Sequence, residues 1–227
     1  YHSFTNPLEE LLFRKYIGAK KEVRIIPDNQ PILDLYYIYG FLLLEDNQLE
    51  EAEENLKKAN KINPVSARII LELSEIYKKH TPSFNKFYMY TTEALTYSYY
   101  PQDVARCYRN FGYFFIEENK FDIAVALFKY SMTFEMSVAA YTELHYIESK
   151  GQSIDMELDE AIELIKENNI QLGVNPFILE AMNELAKEYE NNKLYTQALY
   201  FYELIFNVTN DEQVAQKIKN ITREINN

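Results

Sequence analysis

The 227-residue chain carries 35 acidic against 23 basic residues, a net charge of −12, and 47% of its residues are hydrophobic. That apolar content supports a sizeable core and excludes disorder, while 5 glycines and 7 prolines exclude collagen-like and low-complexity chains. A single cysteine excludes a disulfide-stapled secreted module and fits a reducing, cytoplasmic compartment, and the acidic balance disfavours direct binding of nucleic acid or anionic membranes.

In chain order, Tyr1-His2-Ser3-Phe4 lacks the charged-then-apolar order of a signal peptide, so the chain reads as an excised fragment or a processed product. Residues 1–32 form a first section. Asn6-Pro7 is an N-cap followed by proline at the first helical position, which opens a helix from Pro7 to Tyr16. Residues 14–30 are mixed and end in Pro27-Asp28-Asn29-Gln30-Pro31, a connecting segment. Within it Arg14, Lys15, Lys20, Lys21 and Arg24 make the one locally basic stretch.

From residue 33 an internal repeat begins. Tyr36, Tyr39, Gly40 and Leu43 lead to a polar break, Glu45 to Gln48, and then to Ala52, Leu56, Ala59 and Pro64. Tyr108, Phe111, Gly112 and Phe115 lead to a second break, Glu117 to Lys120, and then to Ala124, Phe128 and Ser131. Gly40 to Gly112 and Ala52 to Ala124 are both 72 residues, so the two segments are in register. Met182, Leu185, Ala186, Tyr189, Ala198 and Tyr202 fit again, 74 residues further on. Two looser segments lie between. One carries Ile70, Leu73, Ser74 and Tyr77, a break at His80 to Ser83, then Phe87 and Ala94. The other carries Tyr141, Leu144 and His145, a break at Gly151-Gln152-Ser153, then Ala161 and Ile165. After Asn210-Asp211, Val214, Ile218, Ile221 and Ile225 form one stripe of a final helix over 211–227.

These slots resemble the tetratricopeptide repeat (TPR) family, whose unit is a helix–turn–helix of about 34 residues. The resemblance implies an all-α, right-handed solenoid of about five units, at 33–66, 67–104, 105–137, 138–178 and 179–212. With the N-terminal helix and the C-terminal capping helix these make one continuous domain. Two antiparallel helices approach closely only where neither is bulky, so Gly40 is expected to face Ala52 and Gly112 to face Ala124. His145 stands in the small-residue slot of the fourth unit; either that crossing is widened or His145 is pushed to an edge. Tyr36, Tyr39, Tyr77, Tyr108, Tyr141, Tyr189 and Tyr202 are expected to fill the core and not to stack nucleic-acid bases.

No catalytic arrangement stands out. His2, His80, His145 and Cys107 are scattered without metal-ligand spacing, so neither metal nor cofactor is expected, and Cys107 reads as a buried structural thiol. The acidic run Glu50 to Glu54 falls in a first helical turn, where it complements the macrodipole. The sequons at Asn207 and Asn220 are short patterns of chance, and no stretch approaches the roughly 18 apolar residues of a membrane helix.

In TPR proteins the first helix of each unit lines a concave groove that holds a peptide or a partner helix. The resemblance puts Tyr37, Ile38 and Phe41 in that groove from the first unit and Arg68, Glu72 and Glu75 from the second. The third supplies Arg106, Arg109, Asn110 and Tyr113, the fourth Thr142, Glu143 and Tyr146, and the fifth Asn183, Glu184 and Lys187. The other reading of these positions is solvated helix faces, or faces covered by the N-terminal helix. The Lys and Asn slots that grip chaperone C-termini are only partly echoed, by Arg106 and Asn110. The resemblance implies a non-catalytic adaptor whose Arg106, Arg109, Asn110 and Tyr113 anchor an acidic or amide-rich peptide. The alternative is the peptide-sensing part of a larger bacterial transcriptional regulator whose DNA-binding module is absent from this chain. The partner's identity and the oligomeric state stay open.

Overall fold

The computed structural model describes residues 2–18, 31–79 and 84–226. Lys20, Lys21, Arg24 and most of the connecting segment lie outside the described residues, as does the break at His80 to Ser83. Among the described residues every regular element is helical, and neighbouring helices pack in pairs. They fall into two compact units, 1–97 and 98–227, called here the N-terminal and C-terminal lobes.

In the N-terminal lobe, α1 (Pro7–Phe13) starts where Asn6 Oδ1 accepts the Glu9 N–H at 3.1 Å, and Pro7 takes the first helical position. A π-helical turn, Arg14–Gly18, follows it. Helices α2 (Ile32–Glu45) and α3 (Leu49–Ile62) pair, α4 (Ala67–Lys79) pairs with α5 (Phe84–Tyr97), and α3 packs on α4. Buried Glu9 fastens the N-terminal segment, accepting from the Thr5 N–H at 2.8 Å and from Asn63 Nδ2 at 2.7 Å, beside the end of α3.

In the C-terminal lobe, α6 (Pro101–Glu117) pairs with α7 (Phe121–Ser131), and α10 (Pro176–Asn191) with α11 (Tyr195–Thr209). Helix α12 (Glu212–Asn226) packs on α11 and is capped by Asp211, whose Oδ1 accepts the Gln213 N–H at 2.7 Å. Ile221 is the buried residue of its stripe, whereas Ile225 is exposed. Helices α8 (Val138–Ser149) and α9 (Leu158–Glu167) both pack on α7 and make little contact with each other. His145 explains part of this. It is an exposed side chain on α8, 3.3 Å from Glu148, standing where α2 and α6 carry glycine, so no second helix closes over α8 there.

The close crossings differ from expectation in one respect. A Cβ on Gly40 would meet Leu56 Cγ at 2.8 Å, and one on Gly112 would meet the Phe128 ring at 2.8 Å. The glycines therefore lie under Leu56 and Phe128, one helical turn beyond Ala52 and Ala124. The two alanines are nevertheless fully buried, as are Ala186, Ala198 and Tyr202 at the matching positions of α10 and α11. Pro64 sits half-buried in the connection from α3 to α4.

The turns repeat with the same 72- and 74-residue spacing. Asn47, Asn119 and Lys193 all adopt left-handed φ, at 59°, 56° and 59°. The residue after each donates back to the helix it leaves: Gln48 N–H to Leu43 O at 2.8 Å, Lys120 N–H to Phe115 O at 2.9 Å, and Leu194 N–H to Tyr189 O at 2.8 Å. This Schellman closure satisfies orphan carbonyls and reverses the chain within a few residues. The same closure, off that spacing, also ends α8 at Gly151, with Gln152 N–H to Ile147 O at 3.4 Å, and α9 at Asn169, with Ile170 N–H to Ile165 O at 3.2 Å.

Tyrosine burial divides. Tyr77, Tyr108 and Tyr202 are buried, and Tyr36 and Tyr189 are half-buried. The Tyr108 hydroxyl donates to Gln171 O and accepts the Gly173 N–H, both at 2.7 Å, tying α6 to the loop before α10. Tyr39 and Tyr141, expected in the core, are 52% and 45% exposed. Each lies on a helix face that no other described element of its lobe covers. On α2 that face is apolar, with Ile32, Leu35, Ile38 and Leu42 exposed beside Tyr39.

Candidate partner-binding surface

Two groups of the groove residues come together, one in each lobe. In the N-terminal lobe, the Tyr37 and Phe41 rings stack at 6.4 Å on successive turns of α2. The exposed guanidinium of Arg68, at the start of α4, lies over the Tyr37 ring at 4.7 Å. The cation is thereby held over the aromatic ring beside Phe41. Glu72, one turn along α4, is buried, and so is withdrawn from that surface.

In the C-terminal lobe, Arg106, Arg109, Asn110 and Tyr113 share one face of α6 by their three- and four-residue spacing. Asn110 is buried and the other three are half-buried. Arg109 is already engaged: its Nη1 donates to Glu135 Oε2 at 2.9 Å, with the two side chains 17% and 35% exposed. Glu135 comes from the connection between α7 and α8. Its N–H donates to Ser131 O at 3.2 Å, and the neighbouring Phe134 ring stacks on Tyr108 at 5.8 Å, so the carboxylate is positioned from two sides. Tyr146, on α8, is exposed, with Lys150 Nζ 5.0 Å from its ring.

Glu135 is the residue that sequence reading missed. It is the only charged side chain between the end of α7 and the start of α8, a signal visible in Met132-Thr133-Phe134-Glu135-Met136-Ser137 but without a partner until the fold supplied Arg109. At 2.9 Å the Glu135 carboxylate accepts from the Arg109 guanidinium. A guanidinium offers five N–H donors in a planar fork, suited to carboxylates and to amide oxygens.

Other reactive groups are used structurally. Cys107 is fully buried, 3.6 Å from Ser98 Oγ, and burial pushes its thiol up to about 12, out of nucleophilic range. Burial opposes ionisation of Glu53, but hydrogen bonds from Lys57 and Tyr77 outweigh it and hold the carboxyl below its ordinary value. Among the described residues no three His, Cys, Asp or Glu side chains gather as a metal site, and no helix is long and apolar enough to cross a membrane.

No family model matches this chain, and no curated protein matches it.

Proposed function

We propose that this chain is a tetratricopeptide-type α-solenoid serving as a non-catalytic scaffold in a reducing, cytoplasmic setting. It takes an acidic or amide-rich protein segment on the faces of its first helices. The observation that carries this reading is the Arg109–Glu135 pair on α6. An arginine-centred face that accepts an internal carboxylate has the donors to accept a partner's carboxylate or amide, beside Arg106, Asn110 and Tyr113. The Arg68–Tyr37–Phe41 cluster supplies a second, aromatic type of contact in the other lobe. The repeated turns and glycine crossings support the repeat assignment.

A peptide-display selection on the immobilised protein tests this. Sequences bearing Asp, Glu, Asn or Gln are expected to be enriched, and the Arg106→Glu/Arg109→Glu variant should no longer retain them while keeping the parent's helical circular dichroism. Enrichment of sequences without such residues, or equal retention by the variant, contradicts the reading.

A further inference from the structure

The start of α6 and the middle of α11 meet through two tyrosines. Tyr100, at the cap position of α6, and Tyr200, on α11, share a hydroxyl–hydroxyl hydrogen bond of 2.7 Å across 100 residues of chain. Both rings are seated. Tyr100 packs on buried Tyr99 with centroids 4.5 Å apart, and Tyr200 meets Phe201 edge-on at 5.1 Å. The pair is nevertheless open to solvent, for Tyr200 is 39% exposed and Tyr100 is half-buried. Other tyrosines also pack ring on ring, Tyr77 with Tyr90 at 5.1 Å and Tyr108 with Tyr130 at 4.8 Å, but Tyr77 and Tyr108 are buried. At Tyr100 and Tyr200 contact and access coincide.

A phenol that gives up an electron and a proton becomes a phenoxyl radical, whose unpaired electron is shared between the oxygen and the ring carbons ortho to it. With the two oxygens 2.7 Å apart, each oxygen and the carbons beside it lie against the other phenol, so coupling needs no search by the chain. We propose that Tyr100 and Tyr200 form an oxidative crosslinking site, served by a peroxidase-type one-electron oxidant that consumes hydrogen peroxide. Each tyrosine loses one electron to the oxidant and one proton to solvent, and the two radicals couple through a new carbon–carbon bond between ortho carbons. Each ring then moves the hydrogen on its bonded carbon to the oxygen, which restores both phenols. In sum, two hydrogen atoms leave the protein and one peroxide is reduced to two waters.

The link supplies a staple that cysteine cannot. Cys107 is the single cysteine and is buried, so no disulfide joins these helices within the chain, and a carbon–carbon bond, unlike a disulfide, is not undone by thiols. Closing a loop of 100 residues removes conformational entropy from the unfolded chain, so oxidation stabilises the C-terminal lobe permanently.

Treating the full 227-residue chain with a haem peroxidase and hydrogen peroxide tests this, independently of any peptide partner. Peptide mass spectrometry should find Tyr100 joined to Tyr200, two hydrogen atoms lighter than the separate peptides, at a yield per chain that does not depend on protein concentration. The linked protein should melt at least about 5 °C above the untreated parent. Tyr100→Phe and Tyr200→Phe each keep the ring and remove one phenol, and each should lower that link at least about 10-fold with unchanged far-ultraviolet circular dichroism. A Tyr100–Tyr200 link no more abundant than links between other tyrosines, a yield that rises with protein concentration, or linked protein that melts no higher than the parent each overturns the proposal.

Discussion

The Phe128 ring lies over Gly112 so closely that a single added carbon would stand 2.8 Å from two of its atoms. Leu56 lies over Gly40 in the same way, at the same sequence separation, although the covering side chain differs in size and shape. What recurs is the absence of a side chain on the first helix, with a large residue on the second that fills the space.

Gly112→Ala should therefore destabilise the C-terminal lobe by about 1–3 kcal/mol through overpacking. The contact itself is isolated by combining it with Phe128→Leu. The double variant is expected to lose less than the two single losses together, by about 0.5 kcal/mol or more in a denaturant-melt cycle. Strict additivity would show that Gly112 acts elsewhere. Gly40→Leu should likewise lower the melting temperature, since the Leu56 backbone nitrogen, 3.1 Å from the added carbon, cannot rotate away.

Lys193 holds left-handed φ in a turn whose counterparts are Asn47 and Asn119. Asparagine tolerates that region better than lysine does. Lys193→Asn is expected to raise stability by a few tenths to about 1 kcal/mol, and Lys193→Ala to give no gain. Thermal melts of the two variants beside the parent decide this.

Alkaline pH should unfold the chain cooperatively. Burial raises the ionisation of Tyr108 and Tyr130 above the ordinary tyrosine value of 10.0, and Tyr77 and Tyr202 shift the same way. Above about pH 10 the unfolded chain releases phenolic protons that the folded chain keeps, so stability is full below that pH and falls as pH rises. For fully buried Tyr108 the slope is about 1.4 kcal/mol per pH unit until its folded-state value is reached. Tyrosinate absorbance should show a late step, from the buried tyrosines, coincident with loss of helical circular dichroism. Smooth titration of every tyrosine before unfolding would contradict this.

Much of the fold was legible in the sequence because the repeat is written in residues whose physics is local. Glycine and alanine mark close approach, the polar breaks Glu45 to Gln48 and Glu117 to Lys120 mark the turns, and Asn6-Pro7 marks a helix start. What pattern reading could not resolve is which of two residues one turn apart lies over a glycine. Ala52 and Leu56 share a helix face, and the crossing geometry chooses between them. The slots place Tyr39 and Tyr141 in the core, but burial depends on what lies beyond the helix, which the slot does not encode. The candidate site was less legible. The spacing of Arg106, Arg109, Asn110 and Tyr113 gave their shared face, yet the Glu135 carboxylate reaches Arg109 from 26 residues away through an irregular connection.

That carboxylate leads to a further expectation. Glu135→Gln removes the internal competitor from Arg109 and should tighten binding of acidic peptides about 3- to 10-fold, with stability changed by no more than about 1 kcal/mol. Fluorescence anisotropy with a selected peptide measures the first quantity and a thermal melt the second. Weaker binding would mean that Glu135 helps to form the surface and does not occupy it.

The central claim is that α6 meets its partner through charge, and a charge swap tests it most directly. Binding of a selected acidic peptide is measured to the parent and to Arg109→Glu, then repeated with the peptide's acidic residue replaced by lysine. The account predicts at least a 10-fold loss for either change alone and substantial recovery when both are combined. Unchanged affinity for Arg109→Glu, or no recovery in the swapped pair, would contradict it.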